Sequence, residues 1–263
     1  MTQDLDYTLL YPKVHLYQGL IDDPEGLVAK LRESEENPSS SFIFADWKPW
    51  SVFGSYVYQL NFDAPDFSKV DKDLYEKEKQ YLDNINDAFH KSTNHYLETY
   101  GKTVLEDWYK MGPSFCKYDF AESTETAEPL AMIPHTDYVY LESDTPGNKF
   151  TLTCTMYLND TYEGGEIEFT IGDTVFKHKP KAGDITVFPS GHPDLFPDDP
   201  IYFHSVKQVF NDEKYFVRCF YQTPFEGSEL WHKGVNKFGE EKWKEMEIER
   251  IKSGIPLDRV DYV

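Results

Sequence analysis

Residues 149–188, KFTLTCTMYLNDTYEGGEIEFTIGDTVFKHKPKAGDITVF, decide how this chain is to be read. Four short runs rich in β-branched and aromatic residues, Lys149–Leu158, Glu166–Thr170, Thr174–Lys177 and Asp184–Phe188, are separated by turn-forming stretches at Asp160–Gly165, Ile171–Asp173 and Lys181–Gly183. Short strands at such spacing indicate a sandwich or barrel. The rhythm continues outward, with Phe115–Phe120 before this stretch and Ile201–Phe210 and Tyr215–Tyr221 after it.

Further out the period lengthens. Asp23-Pro24-Glu25 starts a helix with an acidic cap and a proline at its first position, and the helix runs to about Glu36 before Asn37–Ser41 breaks it. Between Asp71 and Tyr100, Leu74, Tyr81, Leu82, Ile85, Phe89, Tyr96 and Leu97 recur at helical spacing, with Gly101 as the stop. This long helix is expected to be a wall of the domain. Its His90 and His95 are five apart, so they do not share a face and read as capping or surface residues. Lys233–Gly254 is a charged helical coda. The expected fold is α+β: a double-stranded β-helix (jelly roll) with flanking N-terminal helices and a C-terminal helix. One domain over 1–263 is expected, with a mostly helical support region at 1–110, a jelly-roll core at 111–222 and a helical extension at 223–263.

Composition narrows the function classes. Against 47 acidic residues stand 26 basic ones, a formal charge of −21 spread along the chain. Bulk charge of that sign repels phosphate, so nucleic acid and anionic membrane are excluded as default partners. The 16% aromatic content argues against disorder. No run approaches the roughly 20 apolar residues of a membrane span, and Met1–Asp6 has no basic leader character, so a cytoplasmic protein is expected. Cys116, Cys154 and Cys219 are odd in number and lack CxxC spacing, which reads as core packing rather than a disulfide framework or structural zinc. Nothing in the composition fixes an oligomeric state.

Three features carry chemistry. In an extended segment, residues i and i+2 project to one side, so His135 and Asp137 of His135-Thr136-Asp137 can bind one cation. With 8 histidines and 47 acidic residues in 263, about one such triplet is expected by chance, and His192-Pro193-Asp194 is a second. Pro193 would disturb a strand there, which favours the first pair. His204 starts an alternating run that puts His204, Val206 and Gln208 on one face, 69 residues after His135. Two histidines and a carboxylate on one side of a metal leave open positions, as in non-haem Fe(II) oxygenases. Finally, Lys214-Tyr215-Phe216-Val217-Arg218-Cys219-Phe220 puts Lys214, Arg218 and Phe220 on one face, and the Asn211–Glu213 turn is expected to make this strand antiparallel to the one with His204. Two inward cations call for an anion.

In order, His135-Thr136-Asp137, Cys154–Asn159, Glu163-Gly164-Gly165-Glu166, Pro180–Asp184 with Val187-Phe188-Pro189-Ser190, His204-Ser205-Val206 and Lys214-Tyr215 resemble the blocks of Fe(II)- and 2-oxoglutarate-dependent oxygenases, in particular the prolyl 4-hydroxylase-like branch. The resemblance covers about residues 111–222. It implies His135, Asp137 and His204 as metal ligands and catalytic residues. It also implies Lys214 at the distal carboxylate of 2-oxoglutarate, with Tyr157 and Tyr118 as further cofactor-binding candidates. Arg218 is the alternative anchor, or a holder of a substrate carboxylate. Gly164, Gly165 and Gly183 read as turn formers. The implied requirements are Fe(II), 2-oxoglutarate and O2, with ascorbate as an added reductant. The implied reaction is oxidative decarboxylation to succinate and CO2 coupled to hydroxylation of an unactivated C–H bond. The substrate is expected to be a peptidyl proline, with a free amino acid or other small metabolite as the alternative. A cupin-like metal protein or a catalytically silent binding module would share the barrel rhythm. The chain departs from the family's pattern in its long Ser190–Tyr202 approach to His204 and in the acidic loop at Asp119–Pro129, which points to a neutral or basic substrate.

Overall fold

The computed structural model describes residues 5–37, 40–41, 47–52, 55–60, 72–101, 109–122, 129–137, 150–190, 196, 201–222 and 229–252. In chain order these form β1 (Tyr7–Tyr11), β2 (Val14–Tyr17), α1 (Pro24–Glu36), β3 (Trp47–Val52), β4 (Ser55–Leu60), α2 (Lys72–Thr99), β5 (Tyr109–Tyr118) and β6 (Leu130–His135). There follow β7 (Phe150–Tyr157), β8 (Glu163–Gly164), β9 (Ile167–Ile171), β10 (Thr174–His178), β11 (Ile185–Pro189), β12 (Phe203–Lys207), β13 (Val209–Phe210), β14 (Lys214–Gln222), α3 (Glu229–Phe238) and α4 (Glu240–Lys252). Among the described residues no helix is long and apolar enough to cross a membrane.

The strands form a jelly roll. A larger antiparallel sheet runs β1-β2-β11-β7-β14-β5-β4-β3, and a smaller one runs β10-β9-β12-β6, with β8 and β13 pairing as a short ribbon. The period-2 alternation read from the sequence decides what each face meets. On β14, Tyr215, Val217, Cys219 and Tyr221 enter one core with Leu152, Cys154 and Met156 of β7 and Ile185 and Val187 of β11. Onto that face α1 lays Leu27, Val28 and Leu31, and α2 lays Ile85, Ala88, Phe89, Tyr96 and Leu97. Burying each such side chain contributes roughly 1.5–3 kcal/mol, so this seam of helix on sheet is the main apolar reservoir of the fold. The three cysteines are buried and form no disulfide. The other face of β7 and β14 looks toward the smaller sheet, and there the cavity lies.

Helix α1 is capped as its sequence indicates. Pro24 occupies the first turn, and Asp23 Oδ1 accepts from the Gly26 amide at 3.0 Å. Asp23→Ala is expected to cost about 1 kcal/mol of stability, because it removes an acceptor for an otherwise orphaned N–H. Urea unfolding measures this, and an unchanged midpoint would show the cap to be idle. The far end of the helix is pinned by charge. The buried Lys117 ammonium contacts the carboxylates of Glu35 and, at 2.7 Å, Glu213, while the Tyr215 hydroxyl lies 2.8 Å from Glu35 and 2.6 Å from Glu213. These contacts tie α1 to β5 and to the start of β14.

Three features differ from the sequence expectation. The first 60 residues contribute β1–β4 to the larger sheet in addition to the helix. These strands are short or lie toward an edge, and β3 carries Pro49, a residue that edge strands tolerate. Next, the Asn211–Glu213 turn does not join a hairpin. β12 pairs with β6 and β9, whereas β14 pairs with β5 and β7, so the turn carries the chain from the smaller sheet to the larger, with Asn211 in the left-handed region at φ 68°. Last, the helical coda is two helices. Gly239 at φ 82° ends α3, its amide bonded to Val235 O at 2.8 Å, and α4 begins at once.

Candidate active site

His135 ends β6, and Asp137 follows two residues later. In the register of the smaller sheet His135 is the direct cross-strand partner of His204 on β12, and the ladder shifts immediately beyond, between His204 and Val206. The two rings lie 4.4 Å apart between centroids. Asp137 reaches both, with Oδ1 3.7 Å from His135 Nε2 and Oδ2 3.5 Å from His204 Nε2. One donor atom from each of the three residues lies within 4.8 Å of the other two. His192 and Asp194, the competing pair, lie outside the described residues.

Each ligand candidate is held from behind. His135 Nδ1 is 2.8 Å from Ile133 O, and His204 Nδ1 is 3.5 Å from Tyr202 O. A carbonyl only accepts, so Nδ1 carries the proton and Nε2 keeps its lone pair for a metal. His204 sits against the rings of Phe188 and Phe169, and burial lowers its pKa to about 4 although Asp137 opposes the shift. The imidazole is thus neutral at pH 7, the form that binds metal. Thr153 Oγ1 donates to Asp137 Oδ2 at 2.7 Å and lies 2.7 Å from Ser190 Oγ. The sequence reading assigned these two hydroxyls no role. The available signal was that Thr153 shares the face of β7 with Tyr157.

All seven residues singled out from the sequence line one cavity: Tyr118, His135, Asp137, Tyr157, His204, Lys214 and Arg218. The cavity encloses about 500 Å³, part of it open to solvent. Its wall alternates as the fold dictates, with Thr153, Thr155 and Tyr157 from β7 and Lys214, Phe216, Arg218 and Phe220 from β14. Tyr118 stacks on Phe216 at 5.1 Å, and Tyr157 places its hydroxyl 3.4 Å from Thr186.

Lys214 is 1% exposed. Its Nζ donates to Gly165 O at 2.7 Å and lies over the rings of Tyr157 and Tyr162 at 5.0 and 5.6 Å. Burial lowers its pKa to about 7, with nearby Lys179 adding to the shift and Glu166 opposing it. Gly165 makes that contact possible. It sits at φ 66°, and a Cβ there would lie 2.6 Å from the Tyr162 ring.

The comparisons with known proteins agree with this geometry. Residues 128–222 match the 2OG-Fe(II) oxygenase superfamily model. No curated protein matches the chain. Among solved structures, dioxygenase for auxin oxidation 1 from Arabidopsis thaliana, in its 2-oxoglutarate complex, superposes with a TM-score of 0.54 at 15% identity, covering 82% of this chain and 85% of that one. A 2OG-Fe(II) oxygenase-family oxidoreductase from Burkholderia pseudomallei gives 0.50 at 13% identity, over 81% and 87%. A prolyl hydroxylase from Trichoplax adhaerens, complexed with a hypoxia inducible factor peptide fragment, gives 0.50 at 13%, over 80% and 83%. At these identities the structural likeness speaks for the fold, and the matched segment contains six of the seven cavity-lining residues singled out from the sequence. The match over residues 128–222 and the three convergent donor residues support a 2-oxoglutarate-dependent non-haem iron dioxygenase, with Fe(II), 2-oxoglutarate and O2 as its requirements.

Proposed function

We propose that His135, Asp137 and His204 hold the Fe(II), that Lys214 anchors the distal carboxylate of 2-oxoglutarate, and that the whole chain works as one domain hydroxylating an unactivated C–H bond. The observation that carries this reading is the convergence of one histidine and one carboxylate at the end of β6 with a second histidine on the adjacent β12, both Nε2 atoms lying near the same carboxylate. The bound iron supplies the oxidising chemistry. The protein's own part is to orient and exclude water. Thr153 fixes the Asp137 carboxylate, the Nδ1 contacts fix both rings, and Phe188, Phe216 and Tyr118 keep the surroundings apolar. Lys214, at the far end of the same wall, offers a desolvated ammonium to a dianion, with Tyr157 beside it.

The likeness to prolyl 4-hydroxylases supports a peptidyl proline as substrate. A small acid is favoured by a separate observation, the second cation, Arg218, in the wall. Anaerobic addition of Fe(II) and 2-oxoglutarate is expected to produce the weak visible charge-transfer band of a bidentate chelate, and O2 then releases succinate. Absence of the band with the purified chain would overturn the proposal and leave a cupin-like or silent binding protein.

A further inference from the structure

Two of the three proposed ligands, both carried by the smaller sheet, are supported from the larger sheet by one strand, β11. Phe188 of that strand packs its ring against His204 at 5.0 Å between centroids. Ser190, immediately after the strand, places its Oγ 2.7 Å from Thr153 Oγ1, which in turn donates to Asp137 Oδ2 at 2.7 Å. The register explains why they meet. Phe188 is the direct partner of Thr153 on β7, and residues two apart in an extended run share a face, so Ser190 reaches Thr153 along the diagonal. Thr153 and Ser190 are only 3% and 1% exposed, so both hydroxyls are shielded from bulk water.

The direction of this chain of hydroxyls is fixed. A hydroxyl carries one proton, an ionised carboxylate only accepts, and the Thr153 proton is committed to Asp137. Thr153 must therefore accept at its other contact, and Ser190 must donate. The result is a one-way relay from Ser190 to Thr153 to the carboxylate. A hydroxyl that accepts becomes a stronger donor, and a hydrogen bond to an ionised acceptor is about twice as strong as a neutral one. The serine thus strengthens the bond that orients Asp137. The sheet has little need of the contact, because β11 and β7 are already joined along Ile185–Pro189 by their backbone ladder. Asp137 has more need of it. His135 and His204 are held by their pairing in the smaller sheet, whereas Asp137 lies in a bend past the end of β6.

We propose that Ser190 is a positioning residue of the metal centre, acting through Thr153 to hold the Asp137 carboxylate in the orientation that faces both imidazoles. The proposal rests on the metal reading above and extends its support one residue beyond Thr153, to the end of β11.

The test measures metal binding and needs no turnover. The full chain, freed of metal, is titrated with Co(II) against a chromophoric chelator, and separately with Fe(II) and 2-oxoglutarate under argon. Ser190→Ala is expected to weaken Co(II) binding about 10-fold and Thr153→Val about 100-fold, the range for losing an outer partner of a metal ligand. Thr153→Ser keeps the hydroxyl and should stay near wild type. Ser190→Cys, of similar size but a weak donor, should fall between wild type and Ser190→Ala. Because Ser190 acts through Thr153, the double variant Ser190→Ala with Thr153→Val should bind no worse than Thr153→Val alone. A double variant in which the two losses multiply would overturn the proposal, since the serine would then act independently. So would wild-type Co(II) affinity in Ser190→Ala, or in Ser190→Cys should the alanine variant not fold. Equal affinities of Thr153→Ser and Thr153→Val would overturn it as well, because the connecting hydroxyl would be idle. A wild type that neither binds Co(II) nor gives a charge-transfer band would remove the metal reading beneath the proposal, a result distinct from a wild type that binds and variants that bind equally well.

Discussion

His204→Ala and Asp137→Ala should each lower 2-oxoglutarate-dependent succinate release to below about 1% of wild type, since loss of even an outer partner of a metal ligand typically costs 10–100-fold. The two variants fail for different reasons. Asp137 lies 3.7 and 3.5 Å from the two imidazoles, and in the proposed site it would bring the negative charge toward the metal, so its loss would remove charge as well as a donor atom. His204 is packed against Phe169 and Phe188, so its loss also leaves a small void. The far-ultraviolet circular dichroism should remain native in both, because the helix-on-sheet core lies on the opposite face of the larger sheet. Undiminished succinate release by either folded variant would move the iron elsewhere.

Lys214→Ala is expected to raise the KM for 2-oxoglutarate about 100-fold, the usual cost of truncating one member of a buried charge pair, and Arg218→Ala much less. The pH dependence provides an independent signature. Burial holds the Lys214 pKa at about 7, below its usual 10.5. A bound dianion favours the ammonium form and raises that pKa, so binding takes up a proton above pH 7. The wild-type KM should therefore climb as pH rises past 7, and calorimetry in buffers of different ionisation enthalpy should detect the proton. Lys214→Ala should lose both effects. For folding the sign is also fixed: the folded state binds fewer protons than the unfolded chain between about 7 and 10.5, so this lysine's burial penalty is full below pH 7 and fades as pH rises. The alanine variant should then be no less stable than wild type near neutrality, even as it binds cosubstrate poorly. A larger KM effect from Arg218→Ala would transfer the anchor to Arg218.

The parts of the molecule legible in the sequence are those governed by local periodicity. Alternation in Lys214–Phe220 identified the inward cations, and the i, i+2 relation identified His135 and Asp137, because a strand projects its side chains with a fixed period. Asp23-Pro24 marked the start of α1 for an equally local reason. What escaped depends on distant partners. β2 is a strand because Ile185–Val187 of β11 offers it a ladder, and β1 pairs with β2 in turn. The Asn211–Glu213 turn reads as a hairpin locally, and only the competition of β5 and β7 for β14 makes it a crossover. Thr153 and Ser190 look like ordinary strand-end hydroxyls until the fold brings Asp137 to them.

The strict alternation along β14 has an evolutionary consequence. Positions 214, 216, 218 and 220 line the cavity, whereas 215, 217, 219 and 221 share a core with the helices. Register is secured on the helix side by Tyr215 and Glu213, through Glu35 and Lys117. A one-residue slip would exchange the two sets wholesale. With slippage blocked, the even positions can accumulate substitutions that retune what the enzyme accepts while the odd positions keep the chain folded, so selection can explore new chemistry in this strand without first risking the scaffold.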